Sequence, residues 1–190
     1  MNSTMPSSSR RRTVLGALAG LTAVGTGAPA TAQPAATATA TAMSTTLPLV
    51  LPRTEFVYES VVDLAPTLQL GASPFGDRRM VPITGGTFEG PGLRGKVLAG
   101  GADRQLVRRD GAVNLDAVYE LQTDDGVIIS VRNRVLSRRP PDKPAYVFST
   151  LELVAPEGPY GWINDFVYVG TLNSLRPTRD AVVIRVYKVI

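Results

Sequence analysis

Residues 82–103 read P-I-T-G-G-T-F-E-G-P-G-L-R-G-K-V-L-A-G-G-A-D, with seven glycines among twenty-two residues. Apolar residues and turn formers alternate here as strand, turn, strand and loop. Glu89-Gly90-Pro91-Gly92 supplies the turn, because proline presets φ and glycine takes backbone angles closed to other residues. Gly85-Gly86 falls inside the first strand, and Gly100-Gly101 follows the second. Glycine within a strand marks a bulge, a sharp bend or the close approach of another backbone. Two such pairs around one hairpin predict a sheet bent strongly enough to curl on itself. Asp103, the polar residue after the second pair, is the first candidate for chemistry.

The surrounding chain repeats the strand pattern. Strands are predicted at 54–64, 68–70, 79–89, 93–99, 104–109, 115–123, 127–136, 146–154, 166–171 and 181–189, and no segment of ten residues holds a helical period. Asp110-Gly111 and Asp124-Asp125-Gly126 are hairpin turns. Strands joined by such short turns favour an all-β fold, a closed antiparallel barrel of about eight to ten strands with little helix. Closure removes the exposed edges that an open sheet would carry.

Toward the N-terminus the character changes. Arg10-Arg11-Arg12 precedes an apolar run over 14–24, and Ala28-Pro29-Ala30 and Ala30-Thr31-Ala32 both fit small-residue cleavage sites. The run is too short to span a hydrocarbon core of ~30 Å. Residues 1–32 therefore read as a signal peptide, and no stable membrane span is expected after its cleavage. Arg11-Arg12-Thr13-Val14-Leu15 resembles a twin-arginine export signal, with an ordinary basic signal as the alternative. The expected location is periplasmic or extracellular. Residues 33–46, rich in alanine and threonine, lack any apolar period and read as a disordered tether. The barrel domain is then 47–190.

Composition removes several functions. Twenty basic and sixteen acidic residues give a formal charge of +4, but three of the arginines are Arg10, Arg11 and Arg12. The remaining Arg78-Arg79, Arg108-Arg109 and Arg138-Arg139 are short clusters that read as solvated surface. With no basic face interleaved with aromatics, nucleic acid is not an expected partner. There is no cysteine and no histidine, which excludes thiol catalysis, a Ser-His-Asp triad and Cys- or His-ligated metals. No calcium-loop spacing, phosphate loop or dinucleotide fingerprint is present, so neither a metal nor a cofactor is expected.

Strand parity points inward. In 113–121 the odd residues Val113, Leu115, Ala117, Tyr119 and Leu121 form the apolar face, as do Val127, Ile129, Val131 and Val135 in the next strand, with Asn133 among them. Pairing Thr123 with Val127 sets Tyr119 opposite Val131 and Ala117 opposite Asn133. Pairing Arg109 with Ala112 across Asp110-Gly111 sets Arg104 opposite Ala117. Arg104, Tyr119 and Asn133 would then share one interior patch. Singly each has a plainer account: core tyrosine, asparagine at a bulge, arginine at a barrel mouth. Together they favour a wet interior that holds a ligand, since each buried polar group left unpaired costs about 1–3 kcal/mol. Trp162 and Asn164, two residues apart, would project to one side of an extended segment as an aromatic plate and an amide at a barrel end. The alternative is a Trp162 plug closing the floor, with Asn164 capping a turn.

Pro82-Ile83-Thr84-Gly85-Gly86, Glu89-Gly90-Pro91, Gly100-Gly101-Ala102-Asp103, Tyr119, Thr123-Asp124-Asp125-Gly126, Val131-Arg132-Asn133-Arg134 and Trp162-Ile163-Asn164 together resemble the domain-of-unknown-function family 3237. The resemblance covers nearly all of 56–189 and implies a calycin-like β-barrel with a pocket. Two positions depart from the family pattern: Arg104 stands where tryptophan usually follows Gly-Gly-Ala-Asp, and Ser149 where arginine is expected. The first functional expectation is a barrel that binds a small, partly apolar molecule through Arg104, Asn133, Trp162 and Asn164. The second is a cofactor-free isomerase, lyase or hydratase of a small carbonyl or aromatic compound. Asp103 would be its general base, with Tyr119, Asn133 or Asn164 bonding the developing oxyanion. A structural envelope role is a third. From the sequence alone, Asp103→Asn and Asn164→Ala should leave stability nearly unchanged.

Overall fold

The computed structural model describes residues 48–190. The signal peptide and tether expected over 1–46 lie outside the described residues. Ten strands follow one another: β1 Thr54–Leu64, β2 Leu68–Ser73, β3 Gly76–Gly90, β4 Leu93–Val97, β5 Ala102–Arg108, β6 Val113–Thr123, β7 Ile128–Arg138, β8 Tyr146–Val154, β9 Tyr168–Ser174 and β10 Ala181–Val189. One 3-10 helix, Gly161–Asp165, stands between β8 and β9. Every strand pairing is antiparallel. β1 pairs with β10 on one side and with β3 on the other, which closes the sheet.

Two of the staves are interrupted. β1 lies on the second half of β3 and β2 on the first half, so they run as one broken strand. β4 and β5 likewise both lie between β3 and β6. The ten segments thus make a closed antiparallel barrel of eight staves. Two glycines show how tightly it curls. A Cβ at Gly86, whose φ is +141°, would stand 2.1 Å from the Val61 carbonyl oxygen. At Gly101 it would stand 2.6 Å from both Tyr119 Cβ and the Val118 oxygen. No residue with a side chain fits where backbones cross this closely.

Register decides which side chains enter. Tyr119 pairs with Val131 and Ala117 with Asn133, as the parity predicts. The β5–β6 hairpin corrects the sequence reading by one residue. Arg108 N–H donates to the Ala112 carbonyl at 2.8 Å, so the turn holds three residues rather than two. Asp103, not Arg104, faces Ala117, and Arg104 faces Asp116. Because side chains alternate, a one-residue slip exchanges the two faces. Asp103 enters the barrel and Arg104 stands exposed outside it.

The two ends of the barrel differ. The β3–β4 and β6–β7 turns mark one end, here the floor. Above it Tyr58, Phe88, Tyr119, Leu121, Ile129 and Val131 pack as a closed core. The 3-10 helix caps that end, with Ile163 buried and its carbonyl accepting from Tyr168 Oη at 2.8 Å. Arg53 and Ile190 exchange two backbone hydrogen bonds, of 3.0 and 2.8 Å, beside the floor. The other end, the mouth, carries the β2–β3, β5–β6, β7–β8 and β9–β10 connections. Among the described residues no helix is long and apolar enough to cross a membrane.

Candidate functional site

The mouth opens into a cavity of about 350 Å³, with a recess of about 70 Å³ beneath it. Leu64, Gln105, Leu115, Leu172 and Val182 line both, so the recess is the floor of one continuous hollow. Asp103, Ala117 and Asn133 lie side by side in register across β5, β6 and β7. Neighbouring strands are about 4.8 Å apart, which puts the backbones of Asp103 and Asn133 roughly 10 Å from each other. The methyl of Ala117 between them leaves the recess unfilled.

The polar atoms here are only partly satisfied. Arg79 Nε donates to Gln105 Oε1 at 2.6 Å, and Gln105 Nε2 donates to Asp103 Oδ2. That relay holds the carboxylate in place and leaves Asp103 Oδ1 buried without a partner. Burial pushes the carboxyl up from its ordinary 3.8 to about 6, against the pull of the Gln105 bond, the nearby Asp116 backbone and the Arg79 charge. Asn133 is 1% exposed, and neither its Oδ1 nor its Nδ2 has a hydrogen-bond partner. A buried amide with both ends unmet is rare in native proteins and invites an external partner.

Tyr119 lies lower in the same face, inside the closed core rather than on the cavity wall. Its hydroxyl and that of Tyr58 are buried and outside hydrogen-bond geometry with any protein atom, although the two phenols are near enough to shift one another's ionisation. Burial raises both phenols, so they stay protonated. Ser60 and Ser149 also bury hydroxyls without partners.

Besides Tyr119, three of the residues singled out from sequence do not reach this cavity. Arg104 stands on the outer wall of the barrel, beside Leu70, Phe75 and Leu106. Trp162 and Asn164 belong to the cap at the opposite end. Asn164 Oδ1 accepts from Ala155 N–H and its Nδ2 donates to the Ala155 carbonyl, both at 3.0 Å, so the amide is fully engaged in backbone. Trp162 packs against the core beneath the Lys188 ammonium, 5.8 Å from the ring centroid. The cap is the plug that the sequence leaves as an alternative.

Sequence reasoning missed Arg79, Gln105, Arg139 and Arg176, all of which line the mouth. A signal for Arg79 existed: it shares parity with Val81 and Ile83, both of which are buried. Among the described residues no group of three or more His, Cys, Asp or Glu is placed to hold a metal ion.

Comparison with known proteins agrees with this architecture. A UPF0311 protein of Rhodopseudomonas palustris is 32% identical over 150 residues, covering 72% of this chain and 96% of its own length. The crystal structure of a beta-barrel like protein from Acinetobacter baumannii superimposes with a TM-score of 0.68 at 32% identity, over 75% of this chain and 99% of that one. A protein from Penicillium herquei, described as an enzyme, shares the fold with a TM-score of 0.62 at 22% identity, over 76% and 98%. The matching family model, a protein of unknown function designated DUF3237, spans residues 52–189, and the chain belongs to that family.

Proposed function

We propose that the barrel binds a small, partly apolar molecule, which enters by the mouth and seats a polar group in the recess between Asp103 and Asn133. The observation that carries this reading is the set of three buried, unpartnered atoms around the recess: Asp103 Oδ1, Asn133 Oδ1 and Asn133 Nδ2. A ligand hydroxyl would donate to Asp103 Oδ1 and accept from Asn133 Nδ2, satisfying two of the three. Leu64, Leu115, Val135, Leu172 and Val182 supply the apolar wall for its body. Calorimetric titration of the domain with small phenols and alcohols tests this. Saturable binding that Asn133→Leu weakens at least tenfold is expected, and equal affinity in that variant refutes the assignment.

A second reading is supported by the carboxyl of Asp103, raised to about 6 with one oxygen free. Such a group is suited to general-base chemistry near neutral pH. Asp103 would remove a proton from a carbonyl or aromatic substrate, as a cofactor-free isomerase, lyase or hydratase requires, and the Asn133 amide would bond the oxyanion. Turnover of enolisable carbonyl compounds, followed by proton exchange with deuterated water, tests it. Loss of exchange with retained binding in Asp103→Asn is the expected signature.

The proposed site of action is outside the cytoplasm, reached by the twin-arginine route. The Arg11-Arg12 pair, the short apolar run and the small-residue sites support it. Retention of an Arg11→Lys, Arg12→Lys precursor inside the cell is expected, and normal export of that variant would redirect the proposal to the general secretory route.

A further inference from the structure

The cavity lining at the mouth carries charge of one sign. Arg79, Arg139 and Arg176 belong to it, and no acidic residue does. Of the carboxylates on the mouth connections, Asp110 is paired with Arg108 and Asp180 with Arg176, while Asp142 between β7 and β8 forms no ion pair among the described residues. Arg176 bonds Asp180 through Nε at 2.8 Å, and Arg139 has no carboxylate partner among the described residues. Three arginines at the rim of a low-dielectric hollow concentrate anions there. Arginine also offers a planar fork of donors that fits a carboxylate.

The depth of the hollow sets a length. Asn133 in the recess and Arg139, one residue past the end of β7 at the rim, are six residues apart. At about 3.3 Å per residue, shortened by strand tilt, this is about 15 Å along the barrel axis. An arginine side chain reaching inward shortens the gap to roughly 8–10 Å, the span of six to ten carbons.

Resting on the binding reading above, we propose that the ligand is an amphipathic monocarboxylic acid of about six to ten carbons. Its carboxylate sits at the Arg139 and Arg176 rim, and a hydroxyl at its far end sits between Asp103 and Asn133. The apolar middle crosses Leu64, Leu115, Leu172 and Val182. The two polar ends explain why unmet polar atoms at the recess and Arg139 at the rim, unpaired among the described residues, are separated by Leu64, Leu115, Leu172 and Val182. An alcohol or phenol without the acid would satisfy only the recess.

The test uses matched probes: 8-hydroxyoctanoate and 3-(4-hydroxyphenyl)propanoate, each beside its methyl ester, titrated calorimetrically into residues 47–190 or the full chain. Each acid is expected to bind at least tenfold more tightly than its ester. That ratio should fall toward one in the Arg139→Gln, Arg176→Gln double variant and in 0.5 M salt. Both side chains are exposed, so the double variant is expected to keep the wild-type melting temperature. Arg79 is left intact because it holds Gln105. Equal binding of acid and ester by the wild type, or a ratio unchanged in the double variant, overturns the carboxylate assignment and leaves the recess reading standing. Absence of binding by all four probes overturns both. A tenfold preference that Asn133→Leu leaves untouched, with no loss of affinity for either member of a pair, keeps the rim and removes the recess.

Discussion

Asp103→Asn is the most informative single change. Its carboxyl is pushed from an ordinary 3.8 to about 6 by burial, so the folded protein binds the proton more tightly than the unfolded chain does. Between about pH 4 and 6 the folded state therefore carries more protons, and stability falls as pH rises through that window. Above pH 6 the full cost is present, about 3 kcal/mol for a shift of this size. Asparagine has nearly the same shape and can still accept from Gln105, but it carries no charge to bury. Asp103→Asn should consequently stabilise the domain at pH 7 by up to about 3 kcal/mol, or roughly 10 °C in Tm for a domain of this length. This reverses the expectation of no change drawn from the sequence. Thermal melts of both proteins from pH 4 to pH 8 measure it: because Asp110, Asp116 and Asp125 titrate alike in both, the advantage of the variant over the wild type should grow from near zero at pH 4 to its full size above pH 6. A variant less stable than wild type at pH 7, with the same slope between pH 4 and 6, would refute the argument that the buried charge is the destabilising element. If the gain is found together with weaker binding, the carboxylate is held at the recess at the expense of stability, as functional groups often are.

Other changes separate scaffold from site. Gly86→Ala should cost about 3 kcal/mol in chemical denaturation, because the new methyl meets the Val61 carbonyl at 2.1 Å in a backbone angle closed to alanine; a loss below about 1 kcal/mol would disprove the close crossing. Asn164→Ala strips both partners from the Ala155 backbone and should lower stability by about 1–3 kcal/mol, while ligand affinity at the mouth stays unchanged by calorimetry. Tyr119→Phe removes a buried hydroxyl that lies near the Tyr58 phenol but outside hydrogen-bond geometry with it, so stability should hold within about 1 kcal/mol or improve. A larger loss on denaturant titration would show that the hydroxyl has a partner.

The barrel was legible in the sequence because alternation and turn residues agree along almost every strand. The β6–β7 hairpin is the clearest case: Asp124-Asp125-Gly126 sets its register, and the Ala117–Asn133 pair follows. The next hairpin shows the limit. Asp110-Gly111 suits a two-residue turn, yet Arg109 joins the loop, and that one residue exchanges Asp103 for Arg104 on the inner face. Parity is sound within a strand and blind to a change of turn length. Trp162 and Asn164 failed for a different reason. In an extended segment residues two apart share a side, but in a 3-10 helix with three residues per turn they diverge. The rim arginines were hidden because Arg78-Arg79 and Arg138-Arg139 look like surface charge, and only the closed sheet shows that one member of each pair lines a hollow.

Closure between the first and last staves bears on how the chain assembles. Thr54 pairs with Val189 and Asp63 with Ala181, so the seam joins residues from opposite ends of the domain. Contacts this distant in sequence slow folding, because the loop entropy is lost before the contact rewards it. During synthesis β1 emerges first and can pair with β3, but its other edge has no partner until β10 has left the ribosome. For that interval the nascent molecule is an open sheet with a bare edge at Thr54–Leu64, and a holdase that occupies this edge would protect it.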